Sequence, residues 1–175
     1  MVDYYALPAT EPGGWPGRAT ASTAQFDQKS SIVQTACSLS FANAAEDISV
    51  SKRFIPFVVM HEFEALLFSD CVEFARAIGH PDLSAKFLDI RQQFASPEHI
   101  NDAQETAPSK RIALLFARYE KPLNGVIAAN RIGLKVIRQE CPLFGRWLGI
   151  ALNADSTSSR LFLLESIPAQ APSAE

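Results

Sequence analysis

One run, Phe54-Ile55-Pro56-Phe57-Val58-Val59-Met60, limits what this chain can fold into more than any other feature. It is apolar, aromatic and β-branched, the composition of a buried strand. Pro56 has no amide hydrogen to give a ladder, so it belongs at a sheet edge or at the start of the strand. Directly after Met60 the apolar period lengthens and stays helical. Phe63, Leu66 and Leu67 share one stripe, and the spacing predicts further helices over 72–78, 83–94, 108–117, 124–132, 134–140 and 143–152. Gly79, Pro81, Pro97, Pro122, Gly133 and Pro142 punctuate the joins. A strand followed by helices alone implies an α/β class: a small sheet with covering helices and a helix-rich C-terminal half.

The N-terminal part is less regular. MVDYYALP reads as the end of a strand and then a loop. EPGGWPG punctuates heavily, because proline fixes its own φ and glycine admits turns that other residues resist. Strands usually hold about five or six residues, yet only Met1 and Val2 precede Asp3, so this strand is expected to be very short or to lack its beginning. Residues 21–45 carry a broad apolar face of Phe26, Ile32, Val33, Ala36, Leu39 and Phe41 and predict a helix. From Asp155 the chain turns polar and ends in SIPAQAPSAE, a composition expected to be disordered. One domain over 1–154 and a tail over 155–175 are the expectation.

A net charge of −3 gives no global attraction to nucleic acid. Any such binding needs a local patch, for which Ser51-Lys52-Arg53 and Ser109-Lys110-Arg111 are candidates. Apolar runs such as 55–60 are far too short to span a membrane. Asp3 interrupts any signal-like segment after Met1, and a cytoplasmic setting is expected. Cys37, Cys71 and Cys141 are widely spaced and form no CxxC pair, which argues against a disulfide framework and a structural zinc site. They are expected to pack as small apolar groups. Trp15, Trp147 and Phe144 are expected to anchor the core. Of Tyr4 and Tyr5, one could turn its hydroxyl to a site; a buried ring with a satisfied hydroxyl is the plainer alternative.

The chemistry-bearing residues cluster in three places. HEFEALLFSD sets His61, Glu62 and Glu64 at the junction of strand and helix, and ligands in open α/β sheets collect beyond the carboxyl ends of strands. A helix starting near His61 would put His61 and Glu64 on one face. Asp3 occupies the matching place after Met1-Val2. Asp3, Glu62 and Glu64 could together hold a hard divalent cation such as Mg²⁺, which polarises a phosphoryl oxygen or activates water. The plain alternatives are that the glutamates complement a helix dipole, that Asp3 closes an Asx-turn, and that His61 is structural. In EHINDAQETAPSKRI, Thr106 reads as an N-cap and Pro108 as a first-turn residue. Lys110 and Arg111 then fall where the dipole disfavours cations. A phosphate bound by Thr106, Ser109, Lys110 and Arg111 would resolve that conflict; so would pairing with Asp102 or Glu105.

In order, VDYYALP, WPG, RFIPFVVMHEFEALLFSD, INDAQETAPSKRI and CPLFGRWL resemble the bacterial family called domain of unknown function 4276, over residues 1–152. The resemblance implies a divergent Toprim-like fold and a place in bacterial anti-phage defence beside ATPases. It implies Mg²⁺-dependent phosphodiester cleavage, with Asp3 where the aspartate motif of such a site falls. Glu62 and Glu64 are then the companion catalytic and metal-binding carboxylates, His61 orients water or phosphate, and Lys110 and Arg111 hold the nucleic-acid backbone. Two departures stand out. Tyr5 occupies the place of a second acid, and relatives carry an N-terminal segment with a strand and an acid before this motif, so N-terminal strands are expected to be missing here. The alternative is a non-catalytic interaction or sensor module that docks on an ATPase encoded nearby. A third reading is a hydrolase of a small phosphorylated molecule, with the TAPSKR turn as its phosphate seat.

Overall fold

The computed structural model describes residues 1–10, 13–46, 53–100 and 106–153. The proposed partners Asp102 and Glu105, the Ser51-Lys52 half of one basic patch and the tail over 155–175 lie outside the described residues.

Strands β1 (Val2–Asp3) and β2 (Val58–Val59) pair in parallel, Val2 opposite Val58 and Asp3 opposite Val59. The Val2 amide also donates to the Phe57 carbonyl at 3.0 Å. The strand expected over 54–60 therefore shrinks to its end, because Pro56 offers no hydrogen and β1 supplies so little to pair with. The parallel sense points both carboxyl ends the same way. Asp3 and the His61-Glu62 segment consequently leave the sheet side by side.

Helices α1 (Arg18–Ser22) and α2 (Phe26–Ala44) pack on each other, and α2 also packs on β2. Gly17, just before α1, has φ 73°, and a Cβ there would stand 2.7 Å from the Ala36 Cβ of α2. Only glycine allows both the left-handed backbone and so close an approach. Tyr4, Leu7, Ala21, Val33, Cys37, Val58 and Met60 form the core under these elements.

The larger core gathers around Phe63–Ser69, which is a 3₁₀ helix and not the α-helix expected from His61 onward. His61 and the extended Glu62 lie outside it, so His61 and Glu64 do not share a helical face. Ala65, Leu66, Leu67 and Phe68 are buried all round, which the crowding of neighbours requires. Around this segment pack α3 (Cys71–Ala77), α4 (Ser84–Arg91), α5 (Pro108–Leu115), α6 (Lys121–Ile132) and α7 (Leu134–Glu140). Phe74 and Phe87 stack at 4.5 Å and both meet Phe68 edge-on at 5.8 Å. Each such fully buried ring contributes up to about 3 kcal/mol.

Carboxylates start several of these elements. Asp70 accepts from the Val72 and Glu73 amides at the start of α3 at 3.0 and 2.9 Å. Glu98 accepts from the Leu143 and Phe144 amides, both at 2.8 Å, at the start of α8 (Pro142–Asn153). Each satisfies donors that a helix leaves open at its N-terminus. Among the expected aromatic anchors, Trp15 is instead 38% exposed, held by its indole N–H on the Cys37 sulfur at 2.8 Å. Trp147 and Phe144 are half-buried, and Trp147 stacks on Phe57 at 4.8 Å. Among the described residues no helix is long and apolar enough to cross a membrane.

Candidate functional site

Asp3 closes β1 and caps the 3₁₀ turn Tyr4–Ala6, its Oδ1 accepting from the Tyr5 amide at 3.1 Å. This is the Asx-turn arrangement. Burial pushes its carboxyl above the usual range, the Tyr5 amide opposes that, and the negative charge of Glu62 pushes it further up. The pairing of Asp3 with Val59 sets it on the same end of the sheet as the segment that carries Glu62.

Glu62 is the organiser of that neighbourhood. Its Oε2 accepts from the Ser109 amide at 2.8 Å and its Oε1 from the Ser109 hydroxyl at 2.9 Å. Lys121 adds its ammonium to Oε1 at 3.0 Å and reaches Glu64 Oε2 at 3.6 Å. Burial raises the Glu62 carboxyl, but the Ser109 hydroxyl, the Ser109 amide and Lys121 together outweigh it and hold Glu62 below the ordinary carboxylate range. Glu64 is buried and goes the other way. Its burial, with the charge of Glu62, prevails over its own amide and Lys121, and its carboxyl sits high. Two adjacent glutamates thus have their affinities for a proton pushed apart, the pattern from which acid and base roles are built.

The TAPSKRI turn meets this corner through Ser109. Helix α5 begins at Pro108, where the spacing predicts, with Ala107 in place of the expected Thr106 as its N-cap. The Glu62 carboxylate supplies the anion at this helix start. Lys110 is exposed. Arg111 turns back: its Nε donates to the Thr106 carbonyl at 2.8 Å, and its guanidinium lies 5.2 Å from the Phe94 ring centre. His61 is buried and stacks on Tyr5 at 5.1 Å with 9° between the rings. The structure therefore brings Asp3, Glu62, Glu64 and Ser109 together, seats His61 beside them, and turns the Arg111 side chain toward Thr106 and Phe94.

Two participants had no place in the sequence reading. Lys121 bridges both glutamates from the first turn of α6, which contains no acidic residue. A cation at a helix start is the anomaly that drew attention to Lys110 and Arg111, and it applies equally at Lys121-Pro122. Tyr119 sits below, and its buried hydroxyl has no hydrogen-bond partner among the described residues. Burial and the charges of Glu64 and Glu62 hold that hydroxyl protonated far above its usual range. A Cβ at Gly125 would stand 3.3 Å from the Tyr119 hydroxyl and 3.3 Å from Phe63, so glycine keeps the floor of the corner tight.

Among the described residues no three His, Cys, Asp or Glu side chains form a protein-only metal cage. Asp3, Glu62 and Glu64, the metal set expected from the sequence, form no such group, and both oxygens of Glu62 are taken by Ser109 and Lys121. The cysteines are buried, and burial pushes the Cys71 and Cys141 thiols up to about 12, which removes them as nucleophiles. An open cavity of about 510 Å³ lined by Leu134, Lys135, Arg138, Gln139, Leu148 and Leu152 shares no residue with the corner.

Fold and corner define a mostly helical α/β protein with an acidic site at the carboxyl ends of two parallel strands. The chain belongs to the family Domain of unknown function (DUF4276), whose family model matches residues 1–150. Comparison with curated proteins and with solved structures gives no match.

Proposed function

We propose that the corner is a Mg²⁺-dependent site for phosphodiester cleavage in a Toprim-like domain of bacterial anti-phage defence. One observation carries the reading: Asp3 and Glu62 follow the ends of two paired parallel strands, and Lys121 bridges Glu62 to Glu64. Asp3 and Glu64, whose carboxyls are the less satisfied, are the residues that would hold the ion. When bound, Mg²⁺ would supply Lewis-acid polarisation of a phosphoryl oxygen and a more acidic water.

The chain's own residues do the rest. Glu62, anionic and held on three donors, fixes the segment that carries Glu64 and ties it to α5. Glu64, with its raised proton affinity, can take or return a proton at the attacked or leaving oxygen. Lys121 offsets the negative charge of the corner, which eases the approach of an anionic substrate. His61 and Tyr5 wall the side next to Asp3. Lys110, exposed one residue beyond Ser109, would meet backbone phosphate, whereas Arg111 acts by holding the turn at Thr106.

A second reading has its own support. Both oxygens of Glu62 are taken up within the protein, as befits a latch in a non-catalytic interaction or sensor module that partners a defence ATPase. Cleavage of end-labelled DNA and RNA with Mg²⁺ and with EDTA separates the two. The catalytic reading expects Mg²⁺-dependent products that vanish in Asp3→Ala. Undiminished cleavage by that variant removes Asp3 from the mechanism, and no cleavage by the wild type with any divalent metal favours the module.

A further inference from the structure

We propose that Tyr5 is a stacking platform for a base of single-stranded nucleic acid, an inference that rests on the reading above for the kind of substrate brought to the corner. Tyr5 is 54% exposed, yet it is firmly held. One face lies parallel on the His61 ring, and Tyr4 meets it edge-on at 5.1 Å and 84°. His61 is itself 3% exposed and is backed by Phe26 at 5.7 Å. With one face covered by His61, the exposure of the ring comes from its remaining surface. The ring is tied to the site as well, since its amide donates to the Asp3 carboxylate.

A flat aromatic face presented ready-made loses little freedom on binding. It also fits a base of any identity, because every base offers a π-face. Beside the Asp3 carboxylate, two cations lie against the neighbouring Tyr4 ring. The Arg18 guanidinium lies 3.9 Å from the Tyr4 ring centre and the Lys29 ammonium 5.9 Å from it. Neither forms an ion pair among the described residues. Arg18 is buried and bonded to the Tyr4 carbonyl and hydroxyl, both at 3.1 Å, so it braces Tyr4, and Lys29 is the cation left to meet a backbone. Aromatic face and adjoining cation are the pair of features that grips a single strand. A duplex keeps its bases stacked on one another and offers one to Tyr5 only at the cost of unstacking it.

The test is fluorescence anisotropy of a labelled oligothymidylate with the full chain, in EDTA and low salt, so that binding is read without cleavage. Tyr5→Ala is expected to bind roughly tenfold more weakly than the wild type, and Tyr5→Trp at least as well as the wild type. An abasic oligomer of the same length should bind the wild type no better than oligothymidylate binds Tyr5→Ala. Lys29→Glu should weaken the base-bearing and abasic oligomers alike. Absence of binding by the wild type, equal binding by a Tyr5→Ala variant of unchanged circular dichroism, or equal binding of the abasic oligomer overturns the proposal. Since no metal is present, failure of Mg²⁺-dependent cleavage leaves this result standing, and failure of stacking leaves the cleavage result standing.

Discussion

Glu62 ties together segments 47 and 59 residues apart in the chain, and its replacement by alanine has a consequence that can be worked out bond by bond. The bonds to the Ser109 amide and hydroxyl, at 2.8 and 2.9 Å, join a charged acceptor to a buried partner. Such bonds contribute about 1.5–3 kcal/mol each, and they also close the start of α5, worth about 1 kcal/mol in a typical cap. The Lys121 bond is nearly as short at 3.0 Å, but the lysine side chain is 53% exposed. Solvent screening and the entropy of a long side chain reduce it to about 0–1 kcal/mol. Relief of repulsion with Asp3 and Glu64 offsets part of the loss. Glu62→Ala should therefore destabilise the protein by about 3–5 kcal/mol, a large share of a stability of roughly 5–15 kcal/mol.

Urea unfolding at pH 7 measures this, and double-mutant cycles divide it. Coupling of Glu62 to the Ser109 hydroxyl, with Ser109→Ala, should be about 1.5 kcal/mol. Coupling to Lys121, with Lys121→Met, should stay below about 1 kcal/mol. The sign of the pH dependence follows from the lowered native carboxyl of Glu62. Its contribution is complete above the ordinary value of 4.5 and is lost as pH falls through the lower native value. A Lys121 coupling equal to or larger than the Ser109 coupling would refute this assignment of what holds the corner.

Two further outcomes follow from the same groups. The Glu64 carboxyl is held above its ordinary 4.5, so its ionisation costs native stability as pH rises through that range. Glu64→Gln should raise stability at pH 7, and thermal melts should show the gain vanishing below about pH 4; a gain that persists in acid contradicts the assignment. Tyr119→Phe removes a buried hydroxyl without a partner among the described residues and should be neutral or stabilising by about 1 kcal/mol. A clear loss in urea unfolding would mean the hydroxyl is engaged.

Local signals in the sequence carried over where local physics decides. Proline and glycine break backbone patterns wherever they stand, so Gly133 and Pro142 bracket α7 over Leu134–Glu140 as the spacing predicts. The class, a small sheet with many helices, followed from one β-branched run. The sheet's extent did not, because pairing depends on the partner, and β1 offers only Val2 and Asp3. Nor did the 3₁₀ character of Phe63–Ser69, since apolar residues at three- and four-residue spacing serve either helix. At the site, the three carboxylates were legible because each follows an apolar strand. Their long-range partners were not. Ser109 and Lys121 reach Glu62 only through the packing of α5 and α6 around the 3₁₀ segment, and a single chain read locally contains no record of it. At the α5 start, the Ser109 donors that the sequence assigned to a phosphate are taken by Glu62 from within the protein.

Isothermal titration of Mg²⁺ into the full chain tests the central claim most directly, since it asks whether Asp3 and Glu64 take up an ion at all. A saturable heat in the wild type, abolished in Asp3→Asn and in Glu64→Gln while Lys110→Ala keeps it, is the predicted result. Identical titrations for all of these proteins, or no heat in the wild type, would contradict it.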